Sequence, residues 1–211
     1  MEDNPKFPSG QTRSTGSFVS GLLFIWDFLK VIIIALIIIL PVRYFVFQPF
    51  LVSGSSMEPN FKDGQYLVID ELSYRFGNPK RGDVLVLKYP KDTSQYFIKR
   101  IIGLPGEKVQ VTTSGHVVIY NTSHPDGFTL NEPYLDSQTI SFPHDSTIVG
   151  GNNIVTLGPD QYFMMGDNRL ASSDSRDWGI LPKNDIVGKV LVRALPLSEF
   201  KLFSTPSYPN L

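Results

Sequence analysis

The chain contains no cysteine, which excludes a disulfide framework, a thiolate nucleophile and any Cys-ligated zinc or iron–sulfur centre. Histidine is almost as scarce. His116, His124 and His144 are the only three, and no H-E-x-x-H spacing joins them, so a His-based metal site has little support. Neither sign of charge is in excess: nineteen Lys+Arg against twenty Asp+Glu leave a formal net charge of −1. Nothing therefore points to nucleic acid as a partner or to an acidic disordered chain. At 211 residues there is room for one domain of usual size plus a tail, and a second full enzyme domain is not expected. Turn formers are abundant instead, with 17 Gly and 16 Pro, as a β-rich body requires.

The apolar residues are concentrated in one place. Residues 31–42 read VIIIALIIILPV, flanked by Lys30 and Arg43. The run is too short to span a bilayer alone, but Lys and Arg can lay their stems along hydrocarbon and lift their charges to the interface. Asp27 to Val46 then gives about 30 Å of helix at about 1.5 Å per residue, the thickness of a bilayer core. Trp26, Tyr44, Phe45 and Phe47 stand where interfacial aromatics belong. A buried core helix is the competing reading, disfavoured because the run has no polar face. A cleaved signal is disfavoured because no small-x-small site follows. The expected organisation is a mobile tail over 1–26, a transmembrane helix over 27–47, a β-rich domain over 48–200 and a C-terminal tail over 201–211.

Beyond residue 48 the pattern is one of short strands: 65–70, 83–89, 96–103, 108–111, 116–120, 152–157, 161–166 and 185–195, separated by Gly and Pro clusters. The expected fold is mainly β, an antiparallel body preceded by a single N-terminal transmembrane helix. The stretch 122–151, rich in Pro, Asn, Asp and Ser, interrupts the pattern as an excursion that carries specificity or nothing essential.

Three segments carry chemistry. In Val52-Ser53-Gly54-Ser55-Ser56-Met57-Glu58-Pro59, a serine beside a glycine turn suits a nucleophile, with backbone N–H groups near a developing oxyanion; a polar linker has the same composition. In Tyr96-Phe97-Ile98-Lys99-Arg100-Ile101-Ile102, strand alternation puts Phe97, Lys99 and Ile101 on one face and Ile98, Arg100 and Ile102 on the other. Arg stays charged and needs a partner, whereas a desolvated Lys can become neutral, so Lys99 is the candidate base. Bringing its pKa from about 10.4 toward 7 takes roughly 4–5 kcal/mol; a lysine snorkelling off a strand edge is the plainer reading. The third segment, Gly166-Asp167-Asn168-Arg169-Leu170-Ala171-Ser172-Ser173-Asp174-Ser175-Arg176-Asp177-Trp178-Gly179, favours a tight loop fixed by Arg–carboxylate pairs. It lacks the D-x-[DN]-x-[DN]-G spacing of a calcium loop.

Together with Arg81-Gly82-Asp83-Val84, these segments resemble the ordered motif set of type I signal peptidases: V-x-G-x-S-M-x-P after a single span, Lys-Arg followed by G-L-P-G-E, and G-D-N-R-x-x-S-x-D-S-R-x-W-G. The resemblance covers residues 45–188. It implies a serine protease with Ser56 as nucleophile, its amide N–H in the oxyanion hole, Lys99 as general base and Ser172 orienting the lysine amine. Asp174 and Arg176 are implied as a structural pair, and Phe50, Val52, Phe97 and Ile98 as the lining of shallow pockets for small side chains. Some relatives carry a serine two residues before the nucleophile; here that position is Gly54. No cofactor or metal is implied. The implied partners are preproteins bearing signal peptides, bound as an added strand, and the lipid bilayer. The implied setting is the plasma membrane, single-pass, with the N-terminus cytoplasmic and the catalytic domain on the outer face; the bias of Lys6, Arg13 and Lys30 over Arg43 and Lys62 agrees only slightly. A self-cleaving repressor is a rival, but leaves no room for its DNA-binding domain. A catalytically silent, membrane-anchored β-domain acting as a binding module is the other.

Overall fold

The structure, a computed structural model, describes residues 16–45, 47–144 and 154–208, with side chains of the first helix described at 21 and 23–39. The chain divides after Arg43 into a helical unit and a β-rich unit. Helix α1 (Gly16–Phe45) is apolar all round; Leu23, Phe24, Ile25, Val31, Ile37 and Ile38 are exposed, and the charges of Asp27 and Lys30 pair at 3.0 Å. It begins well before the expected Asp27, because residues 16–26 carry no helix breaker beyond Gly21 and continue the apolar pattern. The rest of the expected tail, residues 1–15, lies outside the described residues. Among the described residues no helix is long and apolar enough to cross a membrane.

The second unit is antiparallel β, as the alternating segments require. Its larger sheet holds β1 (Phe47–Leu51), β2 (Tyr66–Asp70), β3 (Val84–Tyr89), β4 (Asp92–Gly103), β9 (Gln161–Met165), β10 (Leu181–Pro182) and β11 (Ile186–Leu195) in the order β1-β2-β11-β3-β4-β9-β10, with β12 (Lys201–Leu202) paired to β11. A smaller sheet, in the order β7-β6-β5-β8, is built from β5 (Lys108–Val111), β6 (Val117–Tyr120), β7 (Phe128–Thr129) and β8 (Ile154–Thr156). Two single-turn helices, α2 (Ser73–Phe76) and α3 (Ser175–Trp178), complete the unit.

Strand β3 is central and buried on both faces, which is why VLVLKY reads as a continuous apolar run. Val84 and Val86 face a cluster with Val52, Met57, Phe61, Leu67, Ile69 and Val190. Leu85 and Leu87 face Ile101, Tyr162, Met164, Leu181 and Trp178, which sits in the core. A third cluster joins the sheets through Ile102, Val109, Ile119, Phe163 and Met165. Each such side chain contributes about 1.5–3 kcal/mol when fully buried.

The element boundaries differ from expectation at both ends of the body. Phe47, assigned to the membrane helix, opens edge strand β1 opposite Asp70; Pro49 is tolerated there because an edge strand can spare a donor. The expected C-terminal tail is partly structural: Phe203 stacks on Phe61 at 4.6 Å and Thr205 Oγ1 donates to Asp83 Oδ1 at 2.6 Å. The excursion, described as far as residue 144, supplies β7 and the partners of three buried arginines taken up below.

Candidate active site

The loop from β1 to β2 presents Ser56. Its base is closed by Val52 N donating to Gln65 O (2.9 Å) and Gly64 N to Val52 O (3.0 Å). Gly54 sits at φ +88°, a left-handed conformation that glycine adopts freely, and its N–H donates to Asp63 Oδ1 at 2.7 Å. Met57 and Phe61 are buried and pin the loop to the core. Ser56, immediately before Met57, is left half-buried, facing a cleft.

Lys99 reaches the same point from β4. It lies opposite Leu85, is only 3% exposed, and its Nζ hydrogen-bonds to Ser56 Oγ at 2.7 Å and donates to Ile98 O at 3.0 Å. The amine also lies 5.2 Å from the centre of the Phe97 ring. Burial pushes its pKa down to about 8; the charges of Asp174 and Asp167 pull it back up and that of Arg176 pushes it down. Desolvation of the ammonium wins because neither carboxylate is free: each is paired with an arginine.

The third segment wraps this pair. Pairing of β4 with β9 runs only from Gly103 to Arg100↔Met165; beyond it, at Gly166, the chain turns toward the serine loop. A Cβ on Gly166 would collide with the Ser56 carbonyl oxygen and with Ser172 Oγ, so only glycine fits there. Ser172 is thus beside the nucleophile loop, but its buried hydroxyl has no hydrogen-bond partner among the described residues. The hydrogen bonds of Lys99 go to Ser56 and Ile98, and none joins it to Ser172 among the described residues.

Asp174 and Arg176 do pair. Arg176 Nε and Nη2 donate to the two oxygens of Asp174 at 2.8 and 2.7 Å with both side chains fully buried. Asp174 also accepts from Gly166 N at 3.0 Å and caps α3 in a capping box with Asp177. Burial raises its pKa, but the Arg176 bonds and charge outweigh that and hold the carboxyl below its ordinary value. His144 Nδ1 lies 2.6 Å from Asp177 Oδ1, so one histidine touches this segment in space though not in sequence. His144, Asp174 and Asp177 bring ligand atoms within 4.8 Å of one another, but the Asp174 oxygens are already engaged by Arg176 and by capping.

A cleft of about 210 Å³ opens over the pair, lined by Phe50, Val52, Phe97 and Ile98, together with Ser53, Tyr96 and Ser173. All four residues named for substrate pockets therefore meet at one cavity with Ser56 and Lys99. Phe50 of β1 and Tyr96 of β4 have ring centres 5.8 Å apart, although β2, β11 and β3 lie between their strands. Coiling of the sheet closes the cleft.

Sequence reading missed the supports. Arg100, flagged as needing a partner, donates from Nε and Nη2 to Asp167 at 2.7 and 2.5 Å and stacks on Tyr134 at 3.8 Å. Arg169 pairs with Glu132 and donates to Ser141, while Arg176 donates to Phe142 O. The loop is held by the excursion and by β4 as well as by its own charges. The backbone N of Asn168 donates to Ser56 O and its side-chain amide to Ser55 O, each at 3.1 Å. The only signal for these contacts was the density of charged and amide residues in the third segment.

Fold and cleft define the class as a β-rich protein with a serine hydroxyl and a weakly basic amine at the edge of a coiled antiparallel sheet. Residues 25–195 match the family model for signal peptidase, peptidase S26. A probable signal peptidase I-1 from Synechocystis sp. is 35% identical over 83% of this chain and 87% of its own length. A signal peptidase I from Bacillus amyloliquefaciens is 38% identical over 77% of this chain and 81% of its own. A crystal structure of a signal peptidase I from Enterococcus faecalis V583 aligns with a TM-score of 0.41 at 27% identity, over 53% of this chain and 96% of that one. The chain belongs to the signal peptidase family, peptidase S26.

Proposed function

We propose that this chain is a membrane-anchored serine endopeptidase that removes signal peptides from preproteins, with Ser56 as nucleophile and Lys99 as general base. The observation that carries the reading is the 2.7 Å hydrogen bond between Lys99 Nζ and Ser56 Oγ inside an open cleft. With the amine neutral, the Ser56 hydroxyl donates to its lone pair. Lys99 takes that proton as Oγ attacks the scissile carbonyl, and the resulting ammonium protonates the leaving amine. Lys99 then takes a proton from the water that attacks the ester, and returns it to Ser56 Oγ as the acyl–oxygen bond breaks. A Ser–Lys pair of this kind needs no histidine.

The Ser56 N–H supplies one oxyanion donor in this reading; the Gly54 N–H is committed to Asp63. The apolar side chains of Phe50, Val52, Phe97 and Ile98 leave room for small substrate side chains and turn away charged ones. The β4 edge over 95–99 has no strand beside it opposite β3 among the described residues, which suits a substrate added as a strand. Ser172 orients the lysine amine once substrate is bound, and Asp174 with Arg176 holds the loop that carries it. The exposed apolar side chains of α1 support its role as the anchor, and the charge bias supports a cytoplasmic N-terminus, with the catalytic unit on the outer face of the plasma membrane.

The test is cleavage of a model preprotein by Ser56→Ala and Lys99→Ala in detergent. Both are expected to be inactive while remaining folded, as judged by circular dichroism. Cleavage by Ser56→Ala at the wild-type rate would remove the nucleophile.

A further inference from the structure

We propose that Asn168 is a positioning residue for this reaction, its side-chain amide fixing the Ser55–Ser56 peptide so that the Ser56 N–H points at the developing oxyanion. The inference rests on the reading of Ser56 as nucleophile and adds a residue to it.

The argument begins with peptide geometry. The Ser55–Ser56 bond is trans, so the Ser55 carbonyl and the Ser56 N–H lie in one plane and point in opposite directions. Whatever holds the carbonyl end aims the N–H end. Ser55 O accepts from Asn168 Nδ2 at 3.1 Å and from Glu58 N at 3.0 Å. The Ser56 N–H has no partner among the described residues, so it is left over for a substrate. Donation to the carbonyl also polarises the amide and strengthens its N–H as a donor. The next peptide is held by the same residue, since Asn168 N donates to Ser56 O at 3.1 Å. Asn168 therefore grips two successive carbonyls around the nucleophile.

Its own position is rigid. Asp167 before it is locked to Arg100 and Arg169 after it to Glu132, with the side chains of Asp167 and Arg169 fully buried. A group that must hold a donor within a fraction of an ångström is best placed between such anchors. The residue type follows: an amide donates to a carbonyl and a carboxylate cannot.

The experiment compares Asn168→Ala and Asn168→Asp with wild type on a peptide substrate, on a peptide aldehyde whose adduct with Ser56 carries the oxyanion, and on an uncleavable substrate peptide. Losing an oxyanion donor outright costs about 10²–10³ in kcat, so loosening one is expected to cost about 10- to 100-fold. Aldehyde affinity should fall by the same factor, while uncleavable-peptide binding and, in the uncharged Asn168→Ala, the pH midpoint of kcat/KM stay at wild-type values. Asn168→Ala keeps the backbone bond to Ser56 O; if it nevertheless fails to fold, Asn168→Ser is expected to give the same split. Wild-type kcat in a folded variant, or equal loss of aldehyde and uncleavable-peptide binding, would overturn the proposal. Ser56→Ala in the same assay separates the two claims: if it cleaves, the nucleophile assignment has failed, and if it is dead while Asn168→Ala is fully active, only the positioning role has.

Discussion

Lys99 Nζ and Ser56 Oγ stand 2.7 Å apart although their residues are 43 positions apart in sequence. One is delivered by the body of β4 and the other by a loop pinned through Met57 and Phe61. Both elements reach the cleft from a buried core, so the contact is a consequence of folding and needs no substrate to form it.

A buried lysine with a pKa of about 8 is costly to the folded state. Its folded value lies below the unfolded 10.5, so the unfolded chain holds more protons between about pH 8 and 10.5, and stability rises with pH across that window. Below pH 8 the penalty is present in full, about 3 kcal/mol for the shift. Lys99→Met is therefore expected to be inactive yet about 1–3 kcal/mol more stable than wild type at pH 7, with the advantage shrinking above pH 8. Urea unfolding at pH 7 and pH 10 checks both. An equal difference at the two pH values would contradict the linkage.

Asp174 and Arg176 act on the same amine with opposite signs. Asp174→Asn should move the pH midpoint of kcat/KM below that of wild type, and Arg176→Met should move it above. Each also leaves a buried charge unpaired, at a cost of about 3–5 kcal/mol, so both profiles are to be taken at low temperature with the folded fraction measured by circular dichroism. Midpoints shifted in the same direction would argue against a through-space effect.

Gly166→Ala tests the closeness of the third segment to the nucleophile. The added Cβ meets the Ser56 carbonyl and Ser172 Oγ, and overpacking of this sort costs about 1–3 kcal/mol. Activity should fall by more than stability accounts for, and adding Ser172→Ala should not restore it, because the Ser56 main chain remains in the way. Thermal melts and peptide cleavage decide.

Removing residues 1–43 should leave a β unit that cleaves soluble peptides but processes a preprotein embedded in vesicles poorly. Comparison of the two rates, full chain against fragment, measures the anchor. Equal ratios would deny α1 a positional role.

The strands with alternating residues were legible because burial imposes a period of two; β5 and β6 are nearly as expected. Strand β1 was hidden because FQPFL continues the apolar run and contains Pro49. The two-residue strands β7, β10 and β12 exist only through distant partners. At the site, Ser56 and Lys99 were readable from a motif, and the apolar neighbours from their places in it. Asn168, Glu132 and Tyr134 were not, since a hydrogen bond to a carbonyl more than a hundred residues away leaves no trace in local pattern. Ser172, close to Gly166 yet with a hydroxyl that has no hydrogen-bond partner among the described residues, shows the converse: a motif fixes which residues are near, and the rotamers decide which of them touch.

The most direct test of the central claim is titration of the Lys99 amine itself, by carbon NMR of ε-labelled lysine in the full chain, alongside the pH dependence of kcat/KM. The account predicts one lysine resonance titrating near pH 8, absent in Lys99→Met, with activity rising through the same midpoint. A Lys99 that titrates near 10.5 while activity is already maximal at pH 7 would contradict it.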